Sequence, residues 1–396
     1  MRIGIAGPFN PYEFRNLFST DEIPNINQNA SAVQALVMSF LDEGHHVIVF
    51  TINPVNKSQV LRSENLIVYL IPYRLIPRTS IFQFYFVYNL RKCIRKNLKD
   101  IDVLHSQWTY EYAFAAKAFS KEVPVFCTVR DWCPIIMNLP MTLLGKFGWR
   151  VIKYNMFRKV MSTSDIHFIA NSSYTYSRIE SEYPEKEVTI IPNSIKKEYI
   201  LTKEISPLQD VVIISIANGI TNPRKNIISL LKAFRLLRNT YEDATLFIVG
   251  KTSKDDPIYK QWKEDSLLNR VIMTGPLSHD EVISYLDQSS IMVHPSLEET
   301  FGNTLLEAMA RRVPVIGGKD SGAVPTVLGN GKYGICCDVT SPEEIVNAII
   351  FLLDKKNAEQ KVNAATGYLL DKYASDVVCI KHIELYMNYL ASEKVD

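Results

Sequence analysis

Glu299 and Glu307 are the residues of this chain whose types and spacing most directly suggest chemistry. Glu307 lies in a stretch whose apolar residues recur at helical spacing, which predicts an amphipathic helix. The N–H groups and dipole at the start of such a helix can bind a phosphate, and Asn303 or Thr304 could cap its first turn. Carboxylates accept hydrogen bonds from sugar hydroxyls, so the combination predicts a sugar-nucleotide site. The alternative is that Glu307 only stabilises the start of the helix and that Glu299 is a solvated loop residue.

Short apolar runs at 291–293 and 313–316 predict buried strands on either side of this helix. The same alternation of strand and helix runs through most of the chain, which predicts parallel α/β sheets. Further predicted strands lie at 3–6, 47–51, 102–105, 123–129, 165–170, 188–191, 211–217, 244–249, 271–273 and 333–338. Further predicted helices lie at 30–43, 174–182, 227–238, 342–353 and 375–390, and another begins at Ser278 or His279 and runs to Leu286.

Length and composition indicate a globular protein of two domains. A chain of 396 residues exceeds what one hydrophobic core usually serves. Its 47% hydrophobic and 22% charged content is ordinary, and a net charge of +2 gives no reason to expect nucleic acid as a partner. Six cysteines without a C-x-x-C pair predict reduced thiols and a cytoplasmic location. The N-terminus reads as a first strand, and no apolar run reaches about 18 residues.

Two segments, 76–98 and 146–159, combine aromatic with basic residues. They belong to a basic half of the chain, because residues 1–195 hold 21 Lys and Arg against 16 Asp and Glu. Such segments can hold a protein at the anionic inner face of a membrane. A core helix with a solvated basic end would look the same, so both interpretations stay open.

The stretch from Glu299 to Gly302, followed by 306–310 and 314–316, closely resembles the E-x7-E motif of retaining glycosyltransferases of family 4. The resemblance extends to His294-Pro295-Ser296 and, more loosely, over the whole chain. It implies the GT-B architecture, with two doubly wound Rossmann-like α/β domains facing a cleft. The implied acceptor domain is 1–195 plus 375–396, the linker is 196–210, and the donor domain is 211–374.

The resemblance also assigns roles in the donor site. It implies that Glu307 binds the ribose and Glu299 the transferred sugar, while Lys225, with Arg224, holds the diphosphate. Two cations there would stabilise charge developing on the leaving group. The nucleobase would bind at the turn Gly275-Pro276-Leu277. The donor would also contact the loop and the start of the next helix, at Phe301, Gly302, Asn303 and Thr304.

This sequence departs from the family pattern at several positions. Asn27-Gln28-Asn29 replaces a Gly-Gly pair, Ile220 stands where the diphosphate arginine is expected, and Thr326 replaces a glutamate. Arg130 replaces the usual histidine; it stays protonated and so cannot be a base, but it could bind a phosphate or an acceptor carboxylate.

His105 is the remaining candidate in the first half of the chain. It is predicted at the C-terminal end of a strand, where open parallel sheets bind ligands. It is either a residue of the reacting centre or a core histidine.

The resemblance implies retaining transfer of a hexose-type sugar from a UDP-, GDP- or ADP-sugar to an acceptor hydroxyl, without a metal or other cofactor. The acceptor would be a glycan, a lipid-linked molecule or a small molecule, in polysaccharide or cell-surface glycan biosynthesis. Family members are thought to use front-face attack, the donor phosphate taking the proton. Two alternatives remain, a sugar-nucleotide 2-epimerase and a non-catalytic nucleotide-sugar-binding protein. The complete motif and the missing histidine at 130 disfavour the epimerase.

Overall fold

The computed structural model describes residues 1–20, 22–26, 30–54, 57–73, 82–138, 148–201 and 210–392. The sequence features at 27–29, 76–81 and 146–147 lie outside the described residues. The chain divides into two compact units, Met1–Ser194 with Ser375–Asp396, and Ile195–Ala374.

The first unit is built on an eight-stranded sheet in the order β3-β4-β2-β1-β5-β6-β7-β8. The edge strand β3 runs antiparallel to β4, and the other paired strands are parallel. The strands are β1 (Arg2–Ala6), β2 (His46–Asn53), β3 (Gln59–Arg62), β4 (Leu66–Pro72), β5 (Val103–Gln107), β6 (Val125–Val129), β7 (His167–Ala170) and β8 (Val188–Ile190). The helices are α1 (Ser31–Asp42), α2 (Phe82–Asn97), α3 (Glu111–Ala116), α4 (Cys133–Met137), α5 (Tyr154–Met161), α6 (Ser173–Glu182) and, at the end of the chain, α14 (Ser375–Ser392).

Both faces of this sheet are buried. Successive residues of a strand point to opposite faces, and in β2 the residues on each face join a buried cluster. Val47 and Val49 of β2 join one buried apolar cluster, whereas Ile48 and Phe50 join another. The final helix α14 contributes Tyr386 to the first of these clusters. Helices therefore cover both faces of the sheet, as in a doubly wound fold.

The second unit has a six-stranded sheet in the order β11-β10-β9-β12-β13-β14, and all of its described pairings are parallel. The strands are β9 (Val212–Ile216), β10 (Thr245–Val249), β11 (Val271–Gly275), β12 (Ile291–His294), β13 (Val315–Gly318) and β14 (Ile335–Cys337). The helices are α7 (Ile227–Leu237), α8 (Pro257–Glu264), α9 (His279–Asp287), α10 (Asn303–Ala310), α11 (Val324–Val327), α12 (Pro342–Leu353) and α13 (Lys355–Lys372). The prediction of α/β units built on largely parallel sheets is confirmed.

One strand prediction is wrong in a way that concerns the site. β5 continues to Gln107, so His105 lies in the middle of the strand and not at its C-terminal end. Ser106 and Gln107 extend the strand despite being polar, because both are fully buried and the β6 register pairs them with Cys127 and Thr128.

Candidate active site

The helix α10 starts at a glycine in a left-handed conformation. Gly302 is the N-cap with φ of 91°, and as a glycine it has no side chain to cap the first turn, while Asn303 and Thr304 already lie inside the helix. The prediction that Asn303 or Thr304 caps it is therefore wrong. A Cβ at Gly302 would lie 2.9 Å from Cδ1 of Leu305, so a larger residue would strain the backbone and clash with the helix. The start of α10 thus retains the N–H groups and dipole that favour an anion.

Glu299 lies at the centre of a charged cluster. Its Oε1 is 2.5 Å from Nζ of Lys225 and 3.4 Å from Nε2 of His294, and its Oε2 is 3.9 Å from a terminal nitrogen of Arg224. Burial would raise the pKa of this carboxyl, but Lys225, His294 and Arg224 outweigh burial and hold it well below its ordinary value. Glu299 is therefore ionised at neutral pH.

The loop that carries the cations is tied to the loop that carries Glu299. Arg224 donates to the carbonyl oxygen of Glu298 at 2.9 Å, and Leu297 N–H donates to the Arg224 carbonyl at 2.8 Å. These bonds turn Arg224 toward the same carboxylate as Lys225, as the sequence interpretation requires. Ile220, at the position expected for an arginine, packs into the apolar core of the unit.

Glu307 projects from the first turn and a half of α10 and is only 7% exposed. Burial raises its pKa from the ordinary 4.5 to about 7. Its Oε1 lies 3.9 Å from Nδ1 of His279, the first residue of α9. The turn Gly275-Pro276-Leu277 directly precedes the Ser278 cap of this helix, so α9 links the predicted nucleobase turn to the predicted ribose ligand.

Arg130 belongs to the first unit, immediately after β6. Its Nε donates to Oε1 of Gln107 at 2.8 Å, and a terminal nitrogen donates to Oδ1 of Asn193 at 2.5 Å. The guanidinium also lies 5.6 Å from the ring centre of Trp108. Burial lowers the pKa of Arg130 to about 10, which leaves it charged at neutral pH.

His105 is completely buried. Its ring nitrogens lie within hydrogen-bond distance of Thr128, Gln107 and Tyr386, and burial lowers its pKa well below the ordinary 6.5. Since the ring reaches no solvent, its burial favours the interpretation of His105 as a core histidine.

The sequence interpretation gave no role to the two histidines beside the glutamates. His294 is the last residue of the buried strand β12 and also lies 3.4 Å from the Thr304 hydroxyl. A polar residue ending an otherwise apolar strand was the available signal for it. His279 appeared only as a helix-start residue, and nothing in its spacing pointed to Glu307.

Three further findings concern metals, cysteines and membranes. In the described ranges, no three His, Cys, Asp or Glu side chains are grouped to hold a metal ion. An Asp-x-Asp pair, Asp100 and Asp102, does occur, and Asp102 pairs with Arg2 at 2.7 Å. All six cysteines are free thiols. Among the described helices, none has the length and apolar character needed to cross a membrane.

Comparison with known proteins assigns the chain to a class. Residues 198–367 match the family Glycosyl transferases group 1, and residues 30–199 match Glycosyltransferase Family 4. The structure of Anabaena HepE in complex with UDP and glucose matches with a TM-score of 0.70 at 15% identity, over 98% of this chain and 100% of that one. The fold is therefore that of the GT-B glycosyltransferases.

Two curated relatives agree with that class. N-acetyl-alpha-D-glucosaminyl L-malate synthase of Bacillus anthracis is 25% identical over 75% of this chain and 77% of that protein. Alpha-monoglucosyldiacylglycerol synthase of Acholeplasma laidlawii is 22% identical over 94% of this chain and 96% of that protein. Together with the two family matches, they identify the chain as a glycosyltransferase of the family 4 type.

Proposed function

We propose that this protein moves a hexose-type sugar from a nucleotide-diphosphate sugar to an acceptor hydroxyl, with retention of anomeric configuration and without a metal. The observation that carries the proposal is the ionised Glu299, held by Lys225, Arg224 and His294 beside the start of α10. This arrangement places hydroxyl-binding and phosphate-binding groups side by side, as a sugar nucleotide requires.

In this proposal the diphosphate lies against Lys225, Arg224 and the first N–H groups of α10. Lys225 is 9% exposed, so its attraction to a phosphate is weakly screened by water. The two cations and the helix dipole would stabilise the negative charge that develops on the departing nucleoside diphosphate.

Glu299 and Glu307 bind different parts of the donor. Glu299, already ionised, would accept hydrogen bonds from hydroxyls of the transferred sugar. Glu307, one turn into α10, would accept hydrogen bonds from the ribose hydroxyls once it has lost its proton. A ribose there would also lie close to the turn 275–277, which we assign to the nucleobase.

The proposed reaction follows a front-face course. The acceptor oxygen bonds to the anomeric carbon as the bond from that carbon to the diphosphate oxygen breaks, on the same face of the sugar. The acceptor proton passes to a phosphate oxygen of the leaving group. Glu299 then has a positioning and electrostatic role, and no protein carboxylate is assigned as a nucleophile.

A UDP-sugar is the favoured donor among UDP-, GDP- and ADP-sugars, because the structural relative HepE is described with UDP and glucose. The acceptor is a glycan, a lipid or a small molecule; the named relatives support the last two, because their names describe a malate glycoside and a glucosylated diacylglycerol. We place the activity in polysaccharide or cell-surface glycan biosynthesis. The proposed location is the cytoplasm, for which six free thiols are typical.

Contact with the inner face of a membrane is part of the proposal, and α2 supports it. Phe84, Tyr85 and Tyr88 are 50%, 45% and 63% exposed on one side of this helix, and exposed Lys92 and Lys96 follow them. Aromatic rings that enter the headgroup region, together with lysines that pair with anionic lipids, form a typical interfacial helix.

A thermal-shift panel of UDP, GDP, ADP and their sugar conjugates tests the proposed donor site. A ligand present at a hundred times its Kd stabilises the folded protein by about 2.7 kcal/mol. We expect the shift with one nucleotide sugar to disappear in Lys225→Gln, which keeps a polar side chain beside Glu299, and to persist in Lys232→Gln, whose lysine is exposed on α7. If none of the ligands shifts the wild-type protein, the proposed donor site is wrong.

A further inference from the structure

A chain of buried polar side chains crosses the first unit from Arg130 to the last helix. Arg130 Nε donates to Oε1 of Gln107, Nε2 of Gln107 lies 3.1 Å from Nε2 of His105, and Nδ1 of His105 lies 2.6 Å from the hydroxyl of Tyr386. Gln107, His105 and Tyr386 are all completely buried. The chain therefore connects a charged residue at the C-terminal end of β6 with α14.

The direction of each hydrogen bond in this chain follows from Arg130. A guanidinium N–H can only donate, so the atom of Gln107 that faces it must be the amide oxygen. The Gln107 amide N–H then points at Nε2 of His105, and this nitrogen must accept. His105 therefore carries its proton on Nδ1 and donates it to the Tyr386 oxygen.

The remaining neighbours are compatible with this assignment. The Thr128 hydroxyl, 2.7 Å from Nε2 of His105, can donate to the same nitrogen. Burial, the nearby His382 and Arg130 all oppose a second proton on His105, because each lowers its pKa. His382 itself donates from Nδ1 to the Val378 carbonyl at 2.9 Å, since a carbonyl can only accept.

We propose that Tyr386 is a positioning residue for Arg130, acting through the Nδ1–H tautomer of His105 and the amide of Gln107. Tyr386 accepts the Nδ1 proton of His105 and so holds the ring in place, with Nε2 facing the Gln107 amide N–H and the amide oxygen facing Arg130. Asn193 and the Trp108 ring hold the guanidinium from other sides. The functional part of this inference rests on the proposed function, together with the sequence-based expectation that Arg130 binds a phosphate or an acceptor carboxylate.

The hydrogen-bond directions can be tested without any substrate. Nitrogen-15 NMR of the histidine side chains reports which ring nitrogen carries the proton, and His105→Asn assigns the signal. We expect Nδ1–H for His105 in the wild type. In Gln107→Glu, where a carboxylate replaces the amide donor, we expect the proton on Nε2, while His382 stays Nδ1–H as an internal reference. A wild-type His105 protonated on Nε2, or a tautomer unaffected by Gln107→Glu, would overturn the proposal.

Transfer kinetics test the positioning role. Tyr386→Phe removes one hydroxyl from a buried hydrogen bond, and we expect kcat to fall about five- to tenfold with the KM of the donor unchanged. In an Arg130→Lys background, Tyr386→Phe should lower kcat little further, because the guanidinium that Tyr386 positions is already absent. Tyr389→Phe is the matched control: its half-buried ring lies on the same helix beside His167, and it should leave kcat unchanged.

Two kinetic outcomes contradict the inference: an unchanged kcat in Tyr386→Phe, or effects of Tyr386→Phe and Arg130→Lys that multiply independently. A protein with no transfer activity toward any donor would instead contradict the proposed function. In that case the histidine spectra still test the hydrogen-bond directions from Arg130 through Gln107 to His105.

Discussion

Nζ of Lys225 lies 2.5 Å from Oε1 of Glu299, although 74 residues separate them along the chain. Both side chains are nearly buried, at 11% and 13% exposure. Removing either charge leaves the other buried without its main partner, which destabilises the folded protein whether or not the pair takes part in catalysis. Substitutions that keep shape and polarity are therefore the informative ones at this site.

Glu299→Gln should reduce sugar transfer by about a hundredfold while changing nucleotide affinity less than about twofold. The reason is that a neutral amide orients the sugar hydroxyls poorly, whereas the nucleotide contacts other residues. The measurements are kcat for transfer and Kd for the nucleotide. Glu343→Gln is the control, because Glu343 is an exposed residue at the start of α12. Full turnover in Glu299→Gln would refute the sugar-binding role.

Affinity for a nucleotide sugar should fall as the pH drops below about 7. Burial raises the pKa of Glu307 to about 7, and its ionised form is the better acceptor for ribose hydroxyls. Calorimetric titration between pH 5.5 and 8.5 would measure this, using a sugar conjugate because its phosphates lack the second ionisation near pH 6. Glu307→Gln should bind more weakly and without this pH dependence. A wild-type affinity that is flat over the range would count against the ribose assignment.

The ligand-free protein should lose stability as the pH rises from about 4.5 to about 7, through Glu307. A carboxyl whose pKa is higher in the folded state stabilises that state below the unfolded pKa, and the contribution disappears as pH passes the folded pKa. The difference between the unfolded pKa of 4.5 and the folded pKa of about 7 corresponds to a loss of about 3 kcal/mol in the free energy of unfolding. Chemical unfolding at pH 5 and pH 8 should show a smaller decrease in Glu307→Gln than in the wild type. Equal decreases in both proteins would show that Glu307 is more hydrated than its burial indicates.

Gly302→Ala and Gly331→Ala separate backbone strain from loss of the binding site. Both glycines have φ near 90°, at 91° and 92°. A Cβ at Gly302 meets Leu305, whereas a Cβ at Gly331 has no described atom within 4 Å. Gly331→Ala should destabilise the fold by about 1–2 kcal/mol through backbone strain, and Gly302→Ala by more, because its Cβ also clashes with Leu305. The loss of nucleotide affinity should be confined to Gly302→Ala, and an equal loss in both variants would contradict a phosphate site at α10.

Binding to anionic vesicles should depend on the exposed aromatic residues of α2. Replacing both Phe84 and Tyr88 with serine should lower partitioning about tenfold, because two half-exposed rings lose their apolar contact with the bilayer. Cosedimentation with vesicles containing phosphatidylserine measures this, and Phe351→Ser, 45% exposed in the second unit, is the control. Wild-type protein that stays in the supernatant would reject the membrane contact.

Most of the strongly apolar strands and amphipathic helices of this fold were predicted from sequence, but β4 was missed although its run LIVYLIP is strongly apolar. The strand β3 was not predicted, because an edge strand of four residues with Gln59 and Arg62 at its ends carries little apolar signal. The helix α13 was also missed: its buried positions Val362, Ala365 and Leu369 are sparse among polar residues. The strand β3 and the helix α13 each bury only a narrow apolar face, which leaves a weak local pattern in the sequence.

The candidate site was predictable where its residues are close in sequence, as in 299–307. The pairing of Lys225 with Glu299 and of His279 with Glu307 depends on long-range packing that spacing does not encode. His105 shows the opposite failure. His105 was predicted at the end of its strand, where both a ligand-facing and a core role were open, because the strand's final residues, Ser106 and Gln107, are polar and yet buried.

The first unit takes its last helix from the end of the chain. Tyr386 of α14 packs against Phe126 of β6 with ring centres 4.7 Å apart, while the second unit, Ile195–Ala374, is encoded between them. During synthesis the second unit can therefore fold first as a continuous segment, and the first must wait with part of its core exposed until α14 leaves the ribosome. Deletions that remove α14 should accordingly yield a nascent chain that depends on chaperones, even though every residue of the donor cluster is present.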